Sequence, residues 1–168
     1  EPLYTQNFPL KCGKGSAYEG GIREPMIVRW PGTVQPGTRC NDYLIIEDFY
    51  PSILEMAGID DYDVPQEIDG ISFVPLLKQT KNPSQGRSLY WNCPNIWGEK
   101  GPGIGPSCTI RKDNWKMIYF YETGEKELYD IPNDIEENNN VAALYPQIIN
   151  KLSKELGKFL RQPNGQRP

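Results

Sequence analysis

The sequence contains no histidine. Serine and cysteine nucleophiles commonly rely on a neighbouring imidazole, so a Ser-His or Cys-His pair formed within this chain is excluded. The cysteines form no Cys-x-x-Cys pair, so a metal site of the usual zinc type is not indicated, and we predict no metal ligands. The even cysteine count allows two disulfides, although free buried thiols are the preferred prediction for Cys12, Cys40, Cys93 and Cys108.

Long apolar runs and blocks of like charge are also absent. No stretch approaches the roughly 20 apolar residues that a membrane-spanning helix needs, so no membrane partner is predicted. The chain has 18 Lys and Arg against 22 Asp and Glu, a mixture that argues against a nucleic-acid surface. It opens without Met or a basic leader region, which is typical of sequence from the interior of a protein. The residues themselves give no localisation.

What is present is a segment rich in glycine and charge at 11–25, KCGKGSAYEGGIREP. Glycines on both sides of Lys14 allow a tight bend and let an anion approach backbone N–H groups. Lys14 would add a compact positive charge with three hydrogen-bond donors. The segment therefore predicts an anion site at Lys14. From composition alone, a Gly-rich turn with a solvated lysine is the alternative, because isolated Gly-x-Gly patterns are common.

The N-terminal half predicts one strand and one helix. The almost continuous apolar run 26–30 is typical of a strand buried on both faces of a sheet. Helical spacing of apolar residues predicts a helix over 48–57. Asp48 is the expected N-cap, Pro51 suits the first turn, and Gly58 is the expected C-cap.

The C-terminal half follows a polar segment at 79–87, which we interpret as a linker. Alternating, aromatic-rich runs then predict about four antiparallel strands, at 88–92, 108–112, 115–121 and 127–130. An apolar stripe over 144–160 predicts a helix. A helix that covers one face of an antiparallel sheet gives an α+β arrangement for this half.

A long loop at 91–107 is rich in Gly, Pro and Trp. Long ordered loops on a rigid scaffold often carry recognition. An indole such as Trp91 suits the CH face of a sugar, and the amides of Asn92 and Asn95 suit its hydroxyls. We therefore predict these three residues as substrate-binding. A loop held over the sheet edge by its aromatic residues is an equally supported alternative.

The segment 7–32, NFPLKCGKGSAYEGGIREPMIVRWPG, closely resembles the second signature of the sulfatases. These are formylglycine-dependent sulfate-ester hydrolases of the alkaline phosphatase superfamily. Further segments resemble later elements of that family, in the same order, at 48–59, 68–77 and 127–140. The resemblance implies the C-terminal part of an α/β, alkaline-phosphatase-like sulfatase that ends in a small antiparallel sheet covered by a helix.

The resemblance also implies roles and boundaries. Lys14 matches the lysine that binds the sulfate group, so it is both a catalytic and a substrate-binding candidate. Some sulfatases carry histidines that face the substrate where this chain has Asn92 and Asn95. Residues 1–78 would complete the large sulfatase domain, 79–87 would link, and 88–168 would form the C-terminal subdomain.

The chain lacks the C/S-x-P-S/A-R motif from which the family makes formylglycine. By resemblance, formylglycine and a divalent metal, calcium, would lie in the N-terminal part of the same polypeptide, which would be this chain's partner. The parent would hydrolyse sulfate esters of an aryl or carbohydrate substrate in a periplasmic, secreted or lysosomal setting. The chain alone would be inactive.

Two alternatives stay open at this point. A phosphodiesterase or phosphatase of the same superfamily also holds a tetrahedral anion. A non-catalytic glycan-binding module would use the C-terminal sheet, helix and aromatic loop without any chemistry. The residue at the upstream nucleophile position would separate the first alternative from a sulfatase.

Overall fold

The computed structural model describes residues 6–59, 61, 63–65, 67–96 and 101–162. Its helices and strands follow in chain order as α1 (Glu19–Ile22), α2 (Phe49–Met56), α3 (Val74–Leu77), β1 (Ser88–Cys93), β2 (Ser107–Lys112), β3 (Trp115–Phe120), β4 (Lys126–Asp130) and α4 (Pro146–Phe159). Among the described residues, no helix combines the length and the apolar character needed to cross a membrane.

The strands form one antiparallel sheet in the order β1-β2-β3-β4. This confirms the four strands predicted from the alternating pattern, with one end of each strand shifted by one residue. Asp113, with φ of +52°, lies in the turn between β2 and β3, and Gly124, with φ of +70°, lies between β3 and β4. The hairpin turns therefore lie at Asp-Asn and Thr-Gly, which are residue types that favour tight turns.

One face of the sheet is covered by α4. Ile110, Met117 and Leu128 are buried there together with Leu152 and Leu156 of the helix. Burial of each such side chain is worth about 1.5–3 kcal/mol relative to exposure. The predicted C-terminal helix and its packing are therefore confirmed, and the helix begins at a proline, as expected for a first-turn position.

The other face of the sheet is covered by the N-terminal segment. Tyr18 packs there against Ile118, Tyr129 and Ile131, and the Tyr18 and Tyr129 ring centroids lie 6.2 Å apart in an edge-to-face arrangement. The chain accordingly forms two compact units, one of 1–25 with 88–168 and one of 26–87. Residues 6–25 thus pack with the C-terminal sheet, whereas the assignment of 1–78 to a larger domain stays a prediction about a longer protein.

In the second unit, the predicted helix is confirmed as α2, preceded by a short 3-10 turn at Ile46–Asp48. Gly58 follows the helix with φ of +71°. Its N–H donates to the Glu55 carbonyl at 3.1 Å, and the Ile59 N–H donates to the Leu54 carbonyl at 3.0 Å. This pair of bonds is a Schellman motif, which glycine favours because it adopts the left-handed conformation without strain.

Asp48 does not cap α2 with its side chain, contrary to prediction. Its carboxylate instead accepts hydrogen bonds from the N–H groups of Ile45 and Ile71 and pairs with Arg87 Nη1 at 2.7 Å. Because Asp48 is almost fully buried, these bonds offset the cost of removing its charge from water. The residue ties the helix to two distant segments of its unit.

The strand predicted at 26–30 is wrong: these residues form no regular element, and Ile27 is 96% exposed. A strand requires a neighbour to satisfy its backbone groups. The described part of 26–87 contains no strand that could pair with residues 26–30. An apolar run without a partner strand therefore stays irregular.

The described cysteines are all free thiols, as preferred. Their expected burial holds only for Cys108. Cys12 is half-buried, whereas Cys40 and Cys93 are exposed. Burial raises the pKa of the Cys108 thiol, so this side chain behaves as a small apolar group of the α4 face.

We predict different amide hydrogen exchange in the two units of the isolated chain. Amides of β1 to β4, α4 and the segment 16–21 should exchange slowly, because they are hydrogen-bonded within the sheet or within the two segments that cover its faces. Amides of 26–30 should exchange rapidly. Exchange measured by mass spectrometry checks this, and equally slow exchange of 26–30 would contradict the irregular structure described for that run.

Candidate functional site

Lys14 lies at the second position of a tight turn formed by residues 13–16. The Ser16 N–H donates to the Gly13 carbonyl at 3.1 Å and closes the turn. Gly15 occupies the third position with φ of +88°, as a type II turn requires. The Lys14 side chain is exposed, whereas Gly13 and Ser16 on either side are buried. The turn therefore holds the cation at its tip.

A buried group of charges fixes the chain just after this turn. Lys116 of β3 is fully buried, and its Nζ lies 3.0 Å from Glu19 Oε1 and 2.9 Å from Glu137 Oε1. The Glu19 pair is a hydrogen bond, while the Glu137 pair is an ion contact outside hydrogen-bond angles. The backbone N–H of Glu19 also donates to Glu137 Oε2. One ammonium thus joins α1, β3 and the loop after β4.

Two arginines complete the surroundings of Glu19. Nη1 of Arg23 and Nη1 of Arg111 lie 3.3 Å and 3.5 Å from its Oε2 atom. Burial by itself would raise the pKa of Glu19, but the charges of Lys116 and Arg111 outweigh it and hold that pKa below its usual value. For Glu137 burial prevails over Lys116, so its pKa is raised. The cluster therefore stabilises the ionised form of Glu19 more than that of Glu137.

A second set of contacts fixes the chain just before the turn. Lys11 Nζ lies 4.0 Å from the Tyr18 ring centroid and donates to the Glu137 carbonyl at 3.0 Å. The hydroxyls of Tyr18 and Tyr129 both donate to Glu127 Oε2, at 2.9 Å and 2.8 Å. Burial raises the pKa of both tyrosines, so both remain donors. Lys14 therefore lies between two anchored residues, Lys11 and Glu19.

Part of the long loop contacts the Lys14 turn directly. Residues 101–104 form a turn of their own, closed by a 3.0 Å bond from the Ile104 N–H to the Gly101 carbonyl. The Ala17 N–H donates to the Gly103 carbonyl at 2.9 Å, and Ser16 Oγ donates to the Pro102 carbonyl at 3.1 Å. The structure thus brings two segments together that are almost ninety residues apart in sequence.

The three loop residues predicted to bind substrate occupy different places. Trp91 lies opposite Thr109 in the sheet, and Thr109 lies opposite Ile118, which packs on Tyr18. Side chains alternate along a strand, so Trp91 shares the face covered by the N-terminal segment. Asn92 belongs to the α4 face and accepts a 2.9 Å hydrogen bond from the Tyr121 hydroxyl. Asn95 follows β1 and is exposed.

Sequence reasoning missed the buried charges. Glu19 stands inside the segment 7–32 and Lys116 inside the predicted strand 115–121, but the sequence patterns assign neither residue a role. The sequence signal is a single lysine between Trp115 and Met117, and the structure adds that both faces of the sheet are covered. A buried lysine requires a carboxylate partner.

The residues described here do not fit a calcium site. Among them, no three His, Cys, Asp or Glu side chains are grouped to hold a metal ion. The two buried carboxylates next to the Lys14 turn, those of Glu19 and Glu137, already contact the Lys116 ammonium.

Replacement of Lys116 by Met should destabilise the chain by about 3–5 kcal/mol, because it leaves two buried carboxylates without their shared cation. Lys112→Met is a matched control. Lys112 of β2 pairs with Glu155 of α4 at 2.8 Å, but both side chains are about a quarter exposed. Loss of this pair should lower the free energy of unfolding by about 0–1 kcal/mol. Urea unfolding of both variants measures the difference, and equal losses would contradict the role of the buried cluster.

A family model described as "N-sulphoglucosamine sulphohydrolase, C-terminal" matches residues 12–162. Among curated proteins, a sulfatase of Formosa agariphila is 32% identical over 95% of this chain and 31% of its own length. Human arylsulfatase K is 30% identical over 89% of this chain and 28% of its own length. The chain therefore spans about a third of the length of the curated relatives it matches.

Solved structures agree with the sequence relatives. The crystal structure of Ps i-CgsB superposes with a TM-score of 0.78 at 28% identity, over 96% of this chain and 34% of that chain. A structure described as in complex with its substrate D-glucosamine-2-N,6-O-disulfate has a TM-score of 0.52 at 27% identity, over 68% of this chain and 23% of that chain. The family resemblance and the fold of a C-terminal sulfatase region are thereby confirmed, and the chain belongs to the C-terminal family of the sulfatases.

Proposed function

We propose that this chain supplies the sulfate-binding lysine of a sulfatase that hydrolyses sulfate esters of carbohydrates. The observation that carries the proposal is the placement of Lys14 at the tip of a type II turn between two anchored residues, half-buried Lys11 and buried Glu19. An exposed lysine on an unsupported loop would be solvated and mobile in position. A lysine whose neighbours are fixed by buried charges is aimed before any ligand arrives.

The chemistry of a sulfate ester fits a single, fixed ammonium group. Hydrolysis breaks the bond between sulfur and the ester oxygen, and negative charge develops on the departing oxygen as the bond lengthens. The Lys14 ammonium would neutralise charge on the sulfate oxygens and on that leaving oxygen. Because the turn is already formed, little reorganisation is needed at the moment of reaction.

Formylglycine and the divalent metal expected of the family would supply the nucleophile and further charge stabilisation. We propose that both belong to the rest of the same polypeptide. Residues 1–78 would then complete a larger domain, 79–87 would link, and 88–168 would form a subdomain. On this proposal the isolated chain turns over no sulfate ester.

Carbohydrate esters are the substrate class we favour over simple aryl esters. One relative is named an ulvan-active sulfatase, and Ps i-CgsB has been solved in complex with k-i-k-neocarrahexaose. Trp91 lies on the sheet face that carries the Lys14 segment, where an indole would stack on a sugar ring. Asn95, which is exposed, would offer its amide to hydroxyls. A substrate contact by Asn92 stays a prediction, since Tyr121 already bonds its oxygen.

The central test is Lys14→Ala in the full-length protein that carries this chain. Loss of one preorganised charge contact should lower kcat/KM for 4-nitrophenyl sulfate by about 10²–10³. Lys154→Ala is the matched control, since Lys154 is an exposed lysine on α4, which covers the opposite face of the sheet. Its kinetics should equal those of the wild type.

Unchanged kinetics in Lys14→Ala would refute the assignment. The same assay with 4-nitrophenyl phosphate separates the superfamily alternative from the proposal. Faster wild-type turnover of the phosphate than of the sulfate would favour a phosphatase. A wild-type protein that binds sulfated sugars but hydrolyses neither those sugars nor the two nitrophenyl esters would favour the glycan-binding alternative.

A further inference from the structure

Two turns of the same type face each other beside Lys14. Residues 13–16 read Gly-Lys-Gly-Ser and residues 101–104 read Gly-Pro-Gly-Ile. Each is closed by a hydrogen bond from its fourth N–H to its first carbonyl. In each, the third residue is a glycine with positive φ, +88° for Gly15 and +68° for Gly103. Both are type II turns, the second with proline at its preferred position.

The two turns are joined by complementary hydrogen bonds. Ser16 Oγ donates to the Pro102 carbonyl at 3.1 Å and accepts from the Tyr18 N–H at 3.2 Å. The Ala17 N–H donates to the Gly103 carbonyl at 2.9 Å. Ser16 and Tyr18 are almost fully buried, so little water competes for these bonds. These bonds therefore form a buried contact within the unit that contains residues 1–25 and 88–168.

The contact leaves no room for a side chain at Gly103. A Cβ there would lie 2.5 Å from Ser16 Oγ and 2.6 Å from two carbons of the Tyr18 ring. Tyr18 cannot easily yield, because its hydroxyl is bonded to Glu127 and its ring is covered by Lys11. Any residue larger than glycine at this position would push the two turns apart.

We propose that the contact between 16–18 and 102–103 is a positioning device that sets the distance between Lys14 and the loop after β1, and thereby selects carbohydrate esters. This inference rests on the proposed function, and it deepens it. Ser16 and Gly103 are positioning residues that act through the loop, because Lys11 and Glu19 hold the Lys14 turn in place. A small aryl ester engages mainly the sulfate site at Lys14. On the proposed function a sugar ester would also contact the exposed Asn95 of that loop, so its binding would depend on the spacing between Lys14 and the loop.

The test compares Gly103→Ala with Gly124→Ala in the full-length protein. Both glycines have nearly equal positive φ, +68° and +70°, but a Cβ at Gly124 would meet nothing within 4 Å. The probes are 4-nitrophenyl sulfate and whichever of k-i-k-neocarrahexaose and D-glucosamine-2-N,6-O-disulfate the wild type hydrolyses faster. A wild-type protein that hydrolyses neither sugar would overturn the inference. Gly103→Ala should lower kcat/KM for the sugar by about ten- to hundredfold, mainly through KM, as expected for a displaced binding group.

The kcat/KM of Gly103→Ala for 4-nitrophenyl sulfate should stay within about threefold of the wild-type value. Gly124→Ala should leave kcat/KM for both substrates unchanged. Hydrogen exchange of the Ala17 amide gives a readout that does not depend on activity. Its protection should fall in Gly103→Ala and in Ser16→Ala, and persist in Gly124→Ala. Ser16→Ala removes the hydroxyl without a clash, so it tests the same contact in a protein that folds.

Equal losses on both substrates, or an Ala17 amide that stays protected in Gly103→Ala, would overturn the inference. So would a Gly103→Ala protein that behaves like Gly124→Ala. Failure of the proposed function is visible separately. In that case Lys14→Ala retains full hydrolysis of 4-nitrophenyl sulfate whatever the behaviour of Gly103→Ala.

Discussion

The buried ion pair between Lys116 and Glu19 is the interaction on which the candidate site depends. It places an ammonium from the centre of a sheet against a carboxylate five residues after Lys14. A buried pair of this kind contributes little net stability compared with apolar packing, but breaking one half of it is costly. The pair therefore fixes the position of the N-terminal segment on this sheet face, because only one position of the segment places Glu19 next to Lys116. The turn at 13–16 is then fixed as a consequence.

The four strands, α2 and α4 followed from the sequence because their determinants are local, whereas the short helices α1 and α3 were not predicted. Period-two alternation located four strands, and 3.6-residue periodicity located α2 and α4. The tight turns followed from Asp-Asn and Thr-Gly. The prediction of a strand at 26–30 was wrong because a strand depends on a non-local partner. An apolar run favours burial, but a strand also needs a neighbouring strand, and the described part of its unit contains none.

The sequence points to Lys14 as the candidate residue, which stays a prediction, but it does not reveal the contacts that hold the turn around Lys14. Family resemblance pointed to the lysine, since Gly-Lys-Gly stands in a long ordered match. Lys116 and the turn at 101–104 meet the Lys14 segment from about ninety residues away, and no periodicity reports such a contact. Alternation also could not show that both faces of the sheet are covered, which turns Lys116 from a solvated lysine into a buried one. Asn92 was grouped with Trp91 by sequence, yet adjacent strand residues lie on opposite faces.

The central claim is that Lys14 meets the sulfate group from a turn fixed by Glu19. A crystal structure of the full-length protein holding an unreacted sulfated carbohydrate, such as D-glucosamine-2-N,6-O-disulfate, tests it most directly. We expect Lys14 Nζ to lie about 2.7–3.2 Å from a sulfate oxygen, with the Lys116–Glu19 pair intact. A sulfate group bound away from the turn at 13–16, with no contact to Lys14, would contradict the account.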